Sequence, residues 1–473
     1  MQTIEPGWIS LLPPLLAIVL AIWTRQVYLS LAAGIFLGWT IVQGWNPLEG
    51  LGRALRETVN VFTAVDRTEV LLFTLVIGAL IATVETFGGV RGFVEELERR
   101  NWVTTPRRAR LLVFLTGCGI FIESNITVLV AGSVGRPLFD RFRVSREKLA
   151  YLVDATSAAV CILIPLNAWG AYILGILGEL GVADPLGVFV GSIPLNFYAL
   201  ATVLLAGVVA VTGLSVGPMR RAEERTRGGQ LLWEGATPML DPEALAPEAL
   251  RSEARPRALN MILPIAAMIV SMPLFLLVTG GGDMREGSGS TSVLWAVLAG
   301  LACAWLLLLA QRAATVDSLT KTGLRGAGGL VGLALVLLLA LALADVAKAL
   351  GTGAYVAEVV SGTLSPAVFL PLVFLVGAFV AFSTGTSWGT FAIMLPIAVP
   401  AAAALGLPLA PFVAASLSGG IFGDHASPIS DTTIISSMAA ATDHIDHVRT
   451  QLPYALACAA VATVGFGIVG ASL

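Results

Sequence analysis

The chain has 473 residues, of which 56% are hydrophobic and 12% are charged, and its net charge is −3. A soluble domain carries roughly twice that share of charged residues, so the composition excludes an ordinary soluble protein. Apolar runs such as 8–23 and 293–310 approach the roughly 20 residues that cross a bilayer, and they predict a polytopic helical membrane protein. The four cysteines lie singly in apolar stretches, which argues against a disulfide framework or a cysteine metal site.

The first predicted elements are spans near 8–24, 27–46 and 69–88. They are followed by an apolar segment, 111–135, between two basic loops, 91–110 and 136–148. Basic loops lie on the cytoplasmic side, so both ends of the segment should be cytoplasmic. The segment is too short for two spans at 1.5 Å per residue. We therefore expect a re-entrant hairpin that is buried in protein or lines a watery cavity.

The rest of the chain continues this pattern. A broken span near 149–178 and a span near 187–214 precede a linker, 215–258, whose arginines place it in the cytoplasm and which we expect to be solvated. The later elements are spans near 259–278, 293–311 and 326–349, a second polar-tipped hairpin near 366–405, a broken helix near 409–438 and a last span near 450–471.

Two sequence pairs relate the halves 1–214 and 259–473 to each other. LVFLTGCGIFIESNIT (112–127) aligns with LVFLVGAFVAFSTGTS (372–387), and CILIPLNAWGAY (161–172) aligns with DHASPISDTTII (424–435). Because the halves have opposite predicted orientations, this pattern indicates an inverted-repeat secondary transporter. The predicted fold is all-α and polytopic, with two inverted repeats, about ten full spans and two hairpins.

Polar residues at the two hairpin tips form the first candidate site. Small hydroxylated residues and glycines there expose carbonyls and helix ends that coordinate a small cation or hold a carboxylate. The alternative is that the hydroxyls bond the preceding turn and the glycines permit close helix packing. The tips carry Glu123, Ser124, Asn125 and Thr127 in the first hairpin, and Thr384, Gly385, Thr386 and Ser387 in the second.

Asp154 lies within the broken span that follows the first hairpin. An ionisable residue inside a span costs roughly 2.5–3.5 kcal/mol on insertion scales and is therefore a functional candidate. Ser157 shares its helix face, and Asn167 follows the proline of the same broken span. The alternative is an Asp154 close enough to the interface to be solvated or to pair with Lys148 or Arg146.

The second broken helix contains the densest group of candidates. Pro428 breaks the helix and frees backbone carbonyls near Ser427. Asp431 then either caps the next half-helix or ligates a cation, and proton and cation compete for such buried carboxylates. The candidates around this proline are Asp424, His425, Ser427, Ser430, Asp431 and Thr432.

Three further features are weaker candidates, and for the last two a structural interpretation is favoured. Glu85 is a weaker intramembrane acid, and Asp345 with Lys348 has the spacing of a self-neutralised pair. The acid- and histidine-rich segment 443–447 is interpreted as an interfacial helix start, where acids and caps are common.

Three long motifs resemble the NhaC-type sodium/proton antiporter family. They are GDHASPISDTTIISSMAAATDHIDHVRTQLPYA (423–455), FSTGTSWGTFAIMLPIA (382–398) and REKLAYLVDATSAAVCILIPLNAWGAY (146–172). The resemblance implies inverted repeats, re-entrant hairpins and sodium-coupled exchange, with Asp154, Asp424 and Asp431 as candidate Na⁺ ligands or proton carriers. Members of the family often carry two adjacent acids at the first hairpin, where this chain has Glu123 followed by Ser124.

The leading hypothesis is therefore Na⁺/H⁺ antiport by alternating access at a midplane site. The alternative is a sodium-coupled carrier of a small organic solute, a carboxylate such as malate or lactate or an amino acid, since some relatives exchange organic acids. A membrane enzyme fits less well, because the chain has no metalloprotease spacing and no phosphate loop. We expect a bacterial-type plasma membrane location with both termini outside, no cofactor beyond transported Na⁺ and H⁺, no nucleic-acid partner, and an architecture compatible with a homo-oligomer.

Overall fold

The computed structural model describes residues 7–24, 26–99, 103–121, 124–165, 167–238, 255–282, 287–352, 354–355, 358–359 and 364–473. Glu123 lies outside these ranges, as do the side chains of Asn125 and Asp431. The described ranges contain helices and no strands, which confirms the all-α prediction.

We number the helices in chain order. Those before the linker are α1 (Leu12–Thr24), α2 (Val27–Val42), α3 (Pro47–Asn60), α4 (Val65–Thr86), α5 (Gly89–Arg99), α6 (Pro106–Gly119), α7 (Ser124–Arg141), α8 (Arg146–Ala155), α9 (Ala158–Cys161), α10 (Ala168–Glu179), α11 (Pro185–Ser192) and α12 (Phe197–Thr212). The linker contains α13 (Pro218–Arg227). Those after it are α14 (Leu259–Thr279), α15 (Gly289–Ala310), α16 (Val316–Gly329), α17 (Val331–Ala349), α18 (Pro366–Thr384), α19 (Ser387–Ala404), α20 (Leu409–Ala426), α21 (Asp431–Ala439) and α22 (His444–Ser472).

By length and composition, six helices of the described chain are able to cross a membrane, or up to eight if each of two bent pairs counts as one span. Large apolar side chains on several of these helices are exposed, among them Val270, Leu306 and Ile468. Such a surface is costly in water and suits contact with lipid. The polytopic membrane prediction is confirmed. The arms of the second hairpin, α18 and α19, are themselves long enough to cross, so a count of about ten spans stays a prediction.

Two segments outside the predicted spans contain helices. Helix α3 follows the second span and is capped by the Asn46 side chain, and Leu48, Leu55 and Val59 on its exposed face give it the form of an interfacial helix. The linker was expected to be solvated, but Met219, Ala222 and Glu223 of α13 are buried. The prediction was wrong for this part of the linker, because arginine and glutamate side chains of α13 find partners on α8.

The hairpins and the broken helices pack across the two halves. The second piece of the later broken helix, α21, packs on α7 of the first hairpin. Likewise α10, the second piece of the first broken helix, packs on α19 of the second hairpin. There the Tyr172 hydroxyl donates to the Trp388 carbonyl at 2.9 Å. A pair of inverted repeats would produce this reciprocal arrangement. The repeat and its boundaries stay predictions.

Helix α20 is almost wholly buried, because small residues line the face that meets α18. A Cβ at Gly419 would lie 2.6 Å from the Phe374 carbonyl oxygen, and one at Gly423 would overlap the Ala381 Cβ. Small residues let helix backbones approach closely, as is typical of helix contacts in membranes. This contact fixes α20, and therefore Asp424, against the second hairpin.

We expect Gly423→Ala to lower the stability of the protein by about 3 kcal/mol, because the added methyl overlaps the α18 backbone. The thermal unfolding midpoint in detergent checks this. Gly467→Ala on α22 is the matched control, since a Cβ there meets nothing within 4 Å. A Gly423→Ala protein as stable as the control would contradict the packing described here.

Candidate functional site

The helix break between α20 and α21 lies against the tip of the second hairpin. Pro428 has no backbone N–H, and the preceding Ser427 is extended, so the helix ends there. The Ser427 hydroxyl donates to the Phe382 carbonyl at 2.7 Å. At the hairpin tip Gly385 has φ +70°, and a Cβ on it would lie 2.6 Å from the Ile429 carbonyl oxygen. Only glycine therefore allows the tip and the break to approach this closely.

Asp424 is held between the hairpin tip and the helix break. Its two carboxylate oxygens accept hydrogen bonds from the Ser387 hydroxyl at 2.7 Å and from the Ser430 hydroxyl at 2.5 Å. The Ser430 and Thr432 hydroxyls lie 3.1 Å apart, and Asp424 is 2% exposed. Three residues selected from two separate motifs of the sequence, Ser387, Ser430 and Thr432, thus lie around one buried carboxylate.

Asp154 lies in the same region, beside α21, and is 3% exposed. Its Oδ2 accepts a hydrogen bond from the Gln451 side-chain amide at 2.6 Å and one from the Thr433 hydroxyl at 3.3 Å. The His447 Nε2 lies 3.9 Å from the same oxygen. Within the described part of the chain, no lysine or arginine pairs with Asp154.

The two basic residues considered as partners of Asp154 have other partners. The Lys148 ammonium lies 3.2 Å from the Glu223 carboxylate, and Arg146 makes two hydrogen bonds with Asp140 at 2.8 and 3.0 Å. The interfacial interpretation of Asp154 was therefore wrong. A buried carboxylate without a cationic neighbour is neutralised by a proton or by a bound cation.

Two side chains connect the surroundings of the two aspartates. The Thr433 hydroxyl contacts the Asp154 carboxylate and also the Asp424 carbonyl oxygen, at 3.0 Å. The Gln451 amide contacts Asp154 and also the His425 carbonyl oxygen, at 2.5 Å. The sites around Asp154 and Asp424 are therefore parts of one polar network, inside a helix bundle.

All three histidines of the chain belong to this network. The His425 Nδ1 lies 2.8 Å from the Tyr198 hydroxyl, and its buried Nε2 has no hydrogen-bond partner among the described residues. The His447 ring lies 2.9 Å from both the Gln451 side chain and the Ser437 hydroxyl. His444 lies 2.9 Å from the same Ser437 hydroxyl and 2.6 Å from the Pro428 carbonyl oxygen.

The interfacial interpretation of 443–447 fits Asp443, Ile445 and Asp446, but it does not fit the two histidines. Asp443 caps α22, and its carboxylate accepts from the backbone N–H groups of Ile445 and Asp446. Partial burial opposes ionisation, but the backbone N–H groups of Thr237, Asp446 and Ile445 hold the pKa of Asp443 below its ordinary value. His444 and His447 turn inward instead, because the start of α22 packs against α8 and α21.

Sequence reasoning did not select Thr433, Ser437 and Gln451 as site residues, and it interpreted His447 as part of an interfacial helix start. The signal was present in the sequence. His447 and Gln451 are four residues apart and so share one helix face, and all four residues fall inside the longest motif, 423–455. What was lacking was the direction of that face, which depends on the packing of α22.

The described part of the first hairpin accepts hydrogen bonds through its backbone carbonyls. The Thr127 hydroxyl donates to the Ile120 carbonyl, and Ser124 is buried. Asn167 caps α10, and its amide donates to the carbonyls of Phe121 at 3.1 Å and Cys161 at 2.8 Å. Asn167 thus links the first hairpin to the first broken helix. The predicted role of Glu123 concerns a residue outside the described ranges, and those of Asn125 and Asp431 concern side chains outside them.

Several selected hydroxyls bond their own helices, as the alternative interpretation proposed. The Ser157 hydroxyl donates to the Asp154 carbonyl at 2.7 Å, and the Thr384 hydroxyl donates to the Val380 carbonyl at 2.9 Å. The Thr386 carbonyl accepts from the Thr390 hydroxyl at 2.9 Å. These side chains stabilise the local backbone.

Asp345 does not pair with Lys348 as expected. Its carboxylate accepts two hydrogen bonds at 3.0 Å from Arg67 of α4, and Arg67 also pairs with Glu179 at the end of α10. Guanidinium forks match carboxylates in this bidentate way, which explains why a distant arginine replaces the nearby lysine. This cluster is separate from the network around Asp154 and Asp424.

No group of three or more His, Cys, Asp or Glu side chains in the described ranges is arranged to hold a metal ion. The network instead offers isolated carboxylates with hydroxyl and carbonyl oxygens around them. Hard cations prefer oxygen ligands of these types. These oxygen atoms are therefore candidate ligands of a cation.

The family profile of the Na⁺/H⁺ antiporters matches residues 178–471. The chain belongs to the Na⁺/H⁺ antiporter family. The resemblance inferred from the three motifs is thus confirmed, and the protein is a transporter rather than an enzyme.

The relatives of this chain differ mainly in the share of the chain that they match. An uncharacterized protein of Haemophilus influenzae is 34% identical over 98% of this chain and 90% of its own length. The malate-2H⁺/Na⁺-lactate antiporter of Bacillus subtilis is 33% identical over 23% of each chain. The arginine/ornithine antiporter ArcD of Halobacterium salinarum is 36% identical over 23% of this chain and 22% of its own.

Among solved structures, the YdaH transporter of Alcanivorax borkumensis matches with a TM-score of 0.58 at 15% identity, covering 89% of this chain and 88% of that one. At this identity the match shows the fold alone. The chain therefore shares the overall fold of this transporter, and the match says nothing about its substrate.

Proposed function

We propose that this family member exchanges Na⁺ for H⁺ by alternating access at the network around Asp154 and Asp424. The observation that carries the proposal is the pair of buried carboxylates joined through Thr433, of which Asp154 contacts neutral donors and a histidine. A carboxylate in such surroundings is stable when a proton or a cation neutralises it. Exchange of one for the other is the chemistry of an antiporter.

The site supplies oxygen ligands for the cation. The Asp424 carboxylate, the Ser387 and Ser430 hydroxyls and the carbonyls freed at the helix break are all of the type that Na⁺ accepts. The Ser387 ligand comes from the hairpin and the Ser430 ligand from the break. A relative movement of these two elements would therefore assemble or open the site.

Contacts at one end of the helix bundle support the predicted orientation in the membrane, with the linker in the cytoplasm. The Arg146 side chain reaches the Ala441 carbonyl at 3.0 Å, and Thr237 of the linker reaches Asp443 at 3.1 Å. The starts of α8 and α22 and the linker thus lie at one end of the molecule. We infer that this end is cytoplasmic, since it carries the basic loops, and that the C-terminus lies outside a bacterial-type plasma membrane.

The test is a sodium-driven pH change in vesicles that contain the purified protein. We expect an imposed Na⁺ gradient to move protons in the opposite direction, with a rate that saturates with Na⁺ concentration. Vesicles without protein and vesicles containing Asp424→Asn protein are the controls. If no Na⁺- or Li⁺-dependent proton flux is measured at any pH, the proposal is wrong.

A second candidate is a sodium-coupled exchanger of a small organic solute. Its support is that two relatives are named as antiporters of malate and lactate and of arginine and ornithine. The same vesicles separate the two functions when malate, lactate or a basic amino acid is enclosed. A proton flux that requires one of these solutes, and is missing with ions alone, favours the second candidate.

A further inference from the structure

The segment 213–237 crosses one end of the bundle, and we call it the strap. Helix α13 forms its middle, and its charged side chains Glu223 and Arg225 contact α8 rather than solvent. The Glu223 carboxylate accepts from the Ser145 backbone N–H at 2.9 Å and from the Ser145 hydroxyl at 2.8 Å, and it pairs with Lys148. Glu223 is 4% exposed.

A second ion pair attaches the strap to the same helix. The Arg225 guanidinium binds both oxygens of Glu147, at 2.7 and 3.0 Å. The side chains of the pair are 4% and 0% exposed, and Arg225 also stacks on Trp233 at 4.7 Å. Buried pairs of this kind are costly to break, because each single loss leaves an uncompensated charge.

The two ends of the strap attach to α22. Near its start, the Val216 backbone N–H donates to the Tyr454 hydroxyl at 2.9 Å. Near its end, the Thr237 N–H donates to the Asp443 carboxylate at 3.1 Å. The strap therefore holds α8 and α22 together from one side.

These contacts lie on the same helix faces as the candidate site. Glu147 is seven residues before Asp154 on α8, and Asp443 is eight residues before Gln451, so each pair is about two turns apart on one face. Asp154 and Gln451 are also the residues that join α8 to α22 inside the bundle. The strap thus closes the end of the interface at which the Asp154 site would open.

We propose that Glu147, Lys148, Glu223 and Arg225 are positioning residues that keep the interface between α8 and α22 closed, and that release of the strap opens Asp154 to solvent on that side. The strap adds an access device to the proposed antiport site, and in this respect the proposal rests on the proposed function. Its test measures the exposure of a cysteine at the interface and does not require transport. A failure of antiport would leave the proposal testable.

Cys458 reports on the interface. It lies one turn beyond Tyr454 on α22, it is 4% exposed, and Tyr454 stacks on Tyr151 of α8 at 4.7 Å. The variants are made in a chain that keeps Cys458, with Cys118, Cys161 and Cys303 replaced by alanine. Labelling by a maleimide is followed on purified protein in lipid nanodiscs, where both sides are accessible.

We expect Arg225→Glu and Glu147→Arg each to raise the labelling rate of Cys458 about tenfold, because like charges then meet in a buried position. The double variant restores the opposite charges, and its labelling rate should return to within about twofold of the parent. Arg220→Glu is the matched control, since Arg220 forms an exposed pair with Glu224 on the same helix.

Monodispersity and the thermal unfolding midpoint establish that each variant is folded. If the charge reversals do not fold, Glu223→Gln replaces them, because it keeps the side-chain shape and loses the charge that Lys148 faces; it too should speed labelling. Unchanged labelling in folded single variants, or a double variant that labels as fast as the singles, would overturn the proposal. In a transport assay, Glu223→Gln should change the apparent KM for Na⁺ from the strap side more than the maximal rate.

Discussion

Replacing Asp424 by asparagine should lower Na⁺-driven proton flux at least about 100-fold, because it removes the charge that balances a buried cation. Asparagine keeps the size of the side chain, and the Ser387 and Ser430 hydroxyls are able to reorient toward it. The fold should therefore survive. The measurement is the initial rate of pH change in vesicles under an imposed Na⁺ gradient.

Ser416→Ala is the matched control for this prediction. Ser416 lies on the same buried helix, but its hydroxyl donates to the Phe412 carbonyl, away from Asp424. Its loss should cost about 1 kcal/mol of stability and leave the flux within about twofold of the parent. An Asp424→Asn protein that transports as fast as Ser416→Ala protein would remove Asp424 from the site.

Replacing Asp154 by asparagine should lower the Na⁺-driven proton flux by a similar factor, and it should also change how transport depends on pH. Asp154 is a titratable group that contacts Gln451 and Thr433 and lies near His447. Without it, the carboxylate that we expect to carry the exchanged proton is missing. We expect a loss of flux of about 100-fold or more, and any remaining Na⁺ movement should no longer vary with pH.

Asp140→Asn is the control for this second prediction. Asp140 pairs with Arg146 close to the start of α8, and its side chain is 26% exposed, so the pair contributes at most about 1 kcal/mol. Flux in that variant should keep both its rate and its pH dependence. A full pH profile in Asp154→Asn protein would show that Asp154 does not carry the exchanged proton.

Much of the candidate site was predictable because its residues are polar or charged and lie within apolar segments. Aspartates, a proline and hydroxyls are costly in apolar segments, so the sequence alone marks Asp154, Asp424 and Ser430 as functional candidates. Gly385 is a candidate from the same hairpin-tip pattern, and its positive φ and its contact with Ile429 require glycine. The roles of these residues stay predictions until they are tested by mutation.

The sequence-based predictions that were wrong concern charged residues whose partners lie far away in the chain. Lys348 is three residues from Asp345, but Arg67 pairs with Asp345 instead. Arginine and glutamate residues of the linker suggested a solvated loop, but Glu223 and Arg225 are buried against α8. In both cases, the actual partners lie far away in the chain, so tertiary contacts and not local spacing decide them.

The sequence by itself determined that the protein crosses a membrane, that its chain is helical, and that two proline-broken segments carry the acids Asp154, Asp424 and Asp431. Composition and the cost of buried charge are sufficient for these conclusions. The tertiary structure alone decided that Asp154 faces Gln451 and His447 of α22, and that Asp424 faces Ser387 of the hairpin. The rotation of a helix about its axis is set by packing across the bundle, which no local pattern in the sequence specifies.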